Sequence, residues 1–134
     1  MPDFSSKTKK VLVVDDDLIS LAVTQAWLKL AGYEVVARDS SLGTTAAIKQ
    51  ERPDFVLLDV NMPGLNGDAL ATLLKGKNSG MNAPGIVLFS SDDVHETRAR
   101  AKKAGALGAV QKGSDRQRFI ADLEHCFAAR QPRS

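Results

Sequence analysis

The chain has 134 residues, enough for one domain with a real core and little room for a second. Its 18 basic and 16 acidic residues leave a net charge of +2, which is no signature of nucleic-acid binding. The single cysteine, Cys126, cannot form an internal disulfide, and no long apolar stretch or signal-like segment occurs, so the expectation is a cytoplasmic protein with no membrane insertion and no direct nucleic-acid partner.

The first apolar run predicts a strand over 10–14 that ends in three consecutive carboxylates, Asp15, Asp16 and Asp17, followed by a helix over 18–31. A second strand over 34–38 leads to a helix over 42–51. The third strand, 55–59, is almost wholly apolar and delivers Asp59 into a turn at Met62-Pro63-Gly64, with a helix expected over 67–75. The fourth, 86–89, runs into Ser90 and Ser91 before a helix over 94–104, and the fifth, 108–111, runs into Lys112 and Gly113 before a helix over 115–129. Phe119, Ile120, Leu123 and Phe127 form the core stripe of that last helix. The alternation predicts an α/β domain: an open, doubly wound, five-stranded parallel sheet with five helices, spanning 1–134 with a core over about 9–130.

In such a sheet, ligands bind at the carboxyl ends of the strands. Asp15 to Asp17, Asp59, Ser90 and Lys112 all fall at such ends, so carboxylates, a hydroxyl and an ammonium converge there. A carboxylate cluster in a poorly hydrated pocket either raises some of its pKa values or holds a cation, and oxygen ligands in this number suit Mg²⁺. Together these groups fit a phosphoryl group and its metal: a carboxylate to attack phosphorus, and a lysine and a serine to neutralise phosphoryl oxygens. Each residue also has a plainer reading. An acidic residue before a helix caps it, which suits Asp17 best, and Asp92 and Asp93 can cap the fourth helix. Asn61 alone is a turn former, Cys126 a core filler, and His95 and His125 are surface residues without a partner at ligand spacing.

Taken in order and spacing, Val13-Val14-Asp15-Asp16, Leu57-Leu58-Asp59-Val60-Asn61-Met62-Pro63-Gly64-Leu65-Asn66-Gly67, Ser90, Ala104-Gly105-Ala106 and Lys112 resemble the receiver domains of bacterial two-component response regulators. The resemblance covers about the whole chain. It implies a flavodoxin-like fold with strand order 2-1-3-4-5, Asp59 as phosphoacceptor, Asp16 as a direct Mg²⁺ ligand and Asp15 acting through metal-bound water. The backbone carbonyl of Asn61 would complete the metal site, with Ser90 and Lys112 on the phosphoryl oxygens. The donor it implies is a phosphohistidine on a sensor histidine kinase or histidine phosphotransfer protein. The output is contact with a downstream protein target, from a monomer or a weak phosphorylation-linked dimer. The domain would catalyse only its own phosphorylation and dephosphorylation. Two positions depart from the family pattern: Ala109 stands where an aromatic ring usually swings, and Gly113 where a cis proline usually follows the lysine. A glycine there predicts a trans Lys112–Gly113 bond. The first helix carries more apolar residues than one buried face needs, so Leu18 or Leu21 is expected to contact the phosphodonor. Two other readings are a receiver-like interaction module with phosphorylation-independent output, favoured by Ala109, and a haloacid-dehalogenase-type phosphatase, which wants an aspartate at the position of Asn61.

Overall fold

The computed structural model describes residues 8–40, 42–61, 84–91, 93–113 and 115–129. Five strands, β1 Lys10–Val14, β2 Glu34–Arg38, β3 Phe55–Asp59, β4 Gly85–Ser90 and β5 Gly108–Gln111, form one sheet in the order β2-β1-β3-β4-β5 with every neighbouring pair parallel. The helices are α1 Leu18–Leu30, α2 Thr44–Glu51, α3 Val94–Ala104 and α4 Arg116–Ala128.

The sheet order is the expected one, but the helix count is not. The described residues hold four helices instead of five, and the helix expected over 67–75 falls in 62–83, outside the described residues. Gly67 opens the expected helix and Gly76 follows it, the usual places for glycine at a helix boundary. The second helix also starts later than expected, because Gly43 takes φ +78° and provides the turn into Thr44.

Strand alternation divides the core into two layers. Val11, Val13, Leu57, Val87 and Phe89 face α1 and α4, where Leu21, Leu28, Phe119, Leu123 and Phe127 meet them. Leu12, Val14, Val56, Leu58 and Leu88 face α2 and α3, against Ala47, Ile48, Ala101 and Ala104. Because both faces are covered, the central strands are continuous apolar runs, and burying each such side chain contributes about 1.5–3 kcal/mol. The Asp17 carboxylate accepts from the amides of Ile19 (3.0 Å) and Ser20 (3.3 Å), capping α1 as expected, while Asp93 and Asp115 cap α3 and α4. Leu21 belongs to the core, which corrects the expectation that it reaches a partner; Leu18, Ile19, Val23 and Leu30 are the exposed large apolar residues of α1. No described helix is long and apolar enough to cross a membrane.

Candidate functional site

Strand register decides which polar residues meet. Val14 pairs with Leu58, Asp59 with Phe89 and Ser90 with Gln111, so Asp15, Asp59, Ser90 and Lys112 sit at or one step past the last paired residues of four strands. Asp15 is fully buried, Asp59 and Ser90 nearly so, and Asp16 is exposed at the mouth. The Lys112 ammonium lies between the two buried carboxylates, 3.0 Å from Asp15 Oδ2 and 3.1 Å from Asp59 Oδ2. Its backbone amide donates to the Ser90 carbonyl at 2.8 Å, which ties the loop after β5 to the end of β4.

Around Asp59 the turn is already organised. The Asn61 amide donates to Asp59 Oδ1 (3.0 Å), and the Asn61 side-chain amide donates to Ser90 Oγ (3.2 Å). Asp15 Oδ1 accepts from the Asp17 amide at 3.0 Å. Burial by itself would raise the Asp15 carboxyl, but the Asp17 amide, the Ser20 hydroxyl and Lys112 together hold it below the ordinary carboxylate range. Asp59 goes the other way: burial, reinforced by the neighbouring Asp15, pushes it up against the opposing pull of the Asn61 amide and Lys112. Burial would lower Lys112, yet the two carboxylates keep its pKa above the usual value. The buried charges are thus only partly balanced, two carboxylates against one ammonium.

That imbalance fits a divalent cation. Carboxylate oxygens of Asp15, Asp16 and Asp59 all lie within 4.8 Å of one another, close to the roughly 4.2 Å between opposite ligands of an octahedral ion with bonds of about 2.1 Å. Asp15 Oδ2 receives no well-directed hydrogen bond and has the Lys112 ammonium 3.0 Å away, so it retains acceptor capacity inside the site. The arrangement suits a hard cation next to a carboxylate able to act as a nucleophile, with an ammonium beside both.

A model of the response regulator receiver domain matches residues 11–124. The chain belongs to the response regulator receiver domain family. Protein PilH of Pseudomonas aeruginosa is 28% identical over 119 residues, which cover 89% of this chain and 98% of PilH. The transcriptional regulatory protein PrrA of Mycobacterium tuberculosis is 34% identical over 104 residues, 78% of this chain but 43% of PrrA, so the chain spans less than half of that relative. Among solved structures, the chemotaxis response regulator CheY4 of Vibrio cholerae superimposes with a TM-score of 0.79 at 25% identity, covering 90% of this chain and 99% of that one. The BeF3-activated N-terminal receiver domain of Klebsiella pneumoniae RstA gives 0.78 at 29% identity, covering 91% and 99%. As a receiver domain, the chain is a signal-transduction element of a two-component phosphorelay, chemically self-contained and not a conventional enzyme.

All six residues singled out from sequence, Asp15, Asp16, Asp59, Asn61, Ser90 and Lys112, lie together in this receiver site. Three contacts were not legible in advance. Ser20, in the first turn of α1, is close enough for its hydroxyl to help hold the Asp15 pKa down. The Asn61 side chain, not only its backbone, engages Ser90. Phe89, which reads as core, has the Lys112 ammonium 4.8 Å over its ring. The one advance hint for Phe89 was parity: it and Val87 face α1 and α4, the side on which the chain after β5 continues. The Lys112–Gly113 bond is trans, with Gly113 at φ +89°.

Proposed function

We propose that this receiver domain takes a phosphoryl group from a phosphohistidine onto Asp59, with Asp15, Asp16, Asp59 and the Asn61 carbonyl holding Mg²⁺. The packing of two buried carboxylates around one lysine, with a third carboxylate at the mouth, is the observation that carries this reading. When bound, Mg²⁺ supplies positive charge that offsets repulsion between the incoming phosphoryl oxygens and the acidic residues. Asp59 is the nucleophile, with Oδ1 held by the Asn61 amide and Oδ2, which Lys112 contacts at 3.1 Å, attacking as that contact is given up. Lys112 exchanges its contact with Asp59 for a phosphoryl oxygen, and Ser90 turns its hydroxyl from Asn61 to another. The output runs through Ser90 and the backbone after it to a downstream protein, since Ala109 offers no ring to rotate. The domain works as a monomer or a weak phosphorylation-linked dimer in the cytoplasm. Incubation with Mg²⁺ and a small acyl phosphate, read by intact mass, tests the reading: one phosphoryl group should be added, and an unmodified chain would reject it.

The complete acidic site speaks against an output that ignores phosphorylation, because a domain freed of this chemistry would gain by losing two mutually repulsive buried carboxylates.

Asp16→Ala should weaken Mg²⁺ binding and phosphorylation together, each by about tenfold or more, since one direct oxygen ligand is lost while the buried pair is untouched. Titration of Mg²⁺ against phosphorylation rate checks this, and an unchanged midpoint would remove Asp16 from the ligand set.

The protein donor has a surface to meet beside the site. A groove of about 360 Å³ runs between α1 and the start of α4 to Lys112, lined by Ile19, Val23, Trp27 and Phe119, and Leu18 and Ile19 are 65% and 78% exposed next to it. We place the sensor kinase or phosphotransfer protein here. Leu18→Glu should slow transfer from the protein donor about tenfold and leave phosphorylation by the small acyl phosphate intact. Equal loss with both donors would locate the defect in the site itself.

A further inference from the structure

We propose that Phe89 is a positioning residue for phosphoryl transfer: its ring seats the Lys112 ammonium and holds it on target while the lysine changes oxygen partners. The inference rests on the function proposed above and deepens it.

The geometry supplies a reason for such a seat. Lys112 is anchored on one side only. Its amide is bonded to the Ser90 carbonyl at 2.8 Å, but the next residue is Gly113 at φ +89°, around which an added Cβ would meet nothing within 4 Å. Gly113 has no side chain to pack beside the lysine, so the far end of the four-carbon lysine chain is not held from that side. The side chain has to be fixed by what it touches. Of those contacts, Asp59 Oδ2 is the one given up during phosphoryl uptake, and Asp15 Oδ2 is shared with the proposed metal site. The third is the face of Phe89, 4.8 Å from Nζ to the ring centroid, well within the range of a cation–π contact.

That ring is suited to the task. Phe89 is fully buried, packs in the core layer with Val11, Val13, Leu57 and Phe119, and its carbonyl accepts from the Val60 amide at 3.1 Å, directly after the phosphoacceptor strand. Its position is therefore set by the sheet and not by the charge it faces. The lysine side chain is only 17% exposed, and a cation–π attraction strengthens as water is excluded. The ring takes no proton and binds no metal, so its hold on the ammonium persists while carboxylate contacts are traded for phosphoryl oxygens.

The test replaces Phe89 alone with ring-fluorinated phenylalanines by stop-codon suppression, in the full chain, in wild-type and Lys112→Ala backgrounds. Fluorine withdraws the negative face of the ring and nearly preserves its shape. The maximal phosphorylation rate at saturating Mg²⁺ and small acyl phosphate should fall stepwise with fluorine number, by about 3- to 10-fold for the fully fluorinated ring, and should not respond in Lys112→Ala. Melting temperatures across the series confirm folding, and the singly fluorinated ring provides the comparison should the fully fluorinated protein unfold. Equal rates across the series, or the same fall in both backgrounds, would overturn the role of Phe89. Failure of unmodified protein to take up phosphate would instead overturn the proposed function, and this role with it.

Discussion

Asp59→Asn should abolish phosphoryl uptake and, in metal-free protein at neutral pH, raise stability. An amide cannot attack phosphorus, so intact mass after incubation with Mg²⁺ and a small acyl phosphate should show a loss of at least about 10²-fold. The stability change follows from linkage. Burial and Asp15 hold the Asp59 carboxyl above its ordinary value of 3.8. A pKa raised on folding contributes stability that is full below the unfolded value and is lost as pH rises through the folded value, so ionised Asp59 opposes folding at pH 7. Removing the charge leaves Lys112 paired with Asp15 at 3.0 Å. The variant should melt higher at pH 7 by an amount of order 1 kcal/mol, or about 4 °C, and the difference should vanish toward pH 3. Mg²⁺ at ten times its Kd should add about 1.4 kcal/mol to the wild-type protein and much less to the variant. A lower melting temperature for Asp59→Asn at pH 7 would mean that pairing with Lys112 outweighs burial and repulsion.

Lys112→Ala has the opposite signature. Two buried carboxylates, 0% and 5% exposed at their side chains, would face each other without the ammonium between them. Removing one partner of such a buried set costs about 2–4 kcal/mol, because the remaining charges keep their desolvation penalty. Mg²⁺ binding should tighten, since the competing cation is gone, and added Mg²⁺ should recover much of the lost stability. Phosphorylation by the small acyl phosphate should still fall about 10²-fold at saturating Mg²⁺, as the cation that meets the developing phosphoryl charge is missing. Thermal melts with and without Mg²⁺, alongside phosphorylation rates, separate these effects. If the variant melted like wild type without metal, the two carboxylates would not be under charge stress, and Lys112 would not be the group that balances them.

The chain by itself determined the layered plan and most of the site. Runs such as Phe55-Val56-Leu57-Leu58 are apolar at every position because a strand covered on both faces has no solvent side, and that pattern survives without any tertiary information. The residue that ends such a run must also lie at the carboxyl edge of the sheet, which is why Asp15, Asp59, Ser90 and Lys112 were legible as a set. The helix expected over 67–75 lies in 62–83, outside the described residues, and the count of four is a count of the described residues. What only the tertiary structure decided was which apolar residues face outward and which neighbours share a charge. Leu18 and Leu21 differ by three positions on one helix, and only packing against the sheet makes the second core and leaves the first exposed. Lys112 and Phe89 are far apart in the chain and become neighbours through parallel pairing of β4 with β5, a register that no local pattern encodes. Asp15 falls and Asp59 rises for a similar reason. Two aspartates with the same intrinsic chemistry are separated by which amides, hydroxyls and charges the fold brings within about 3 Å of each, and at that range the low dielectric of the interior makes each neighbour count.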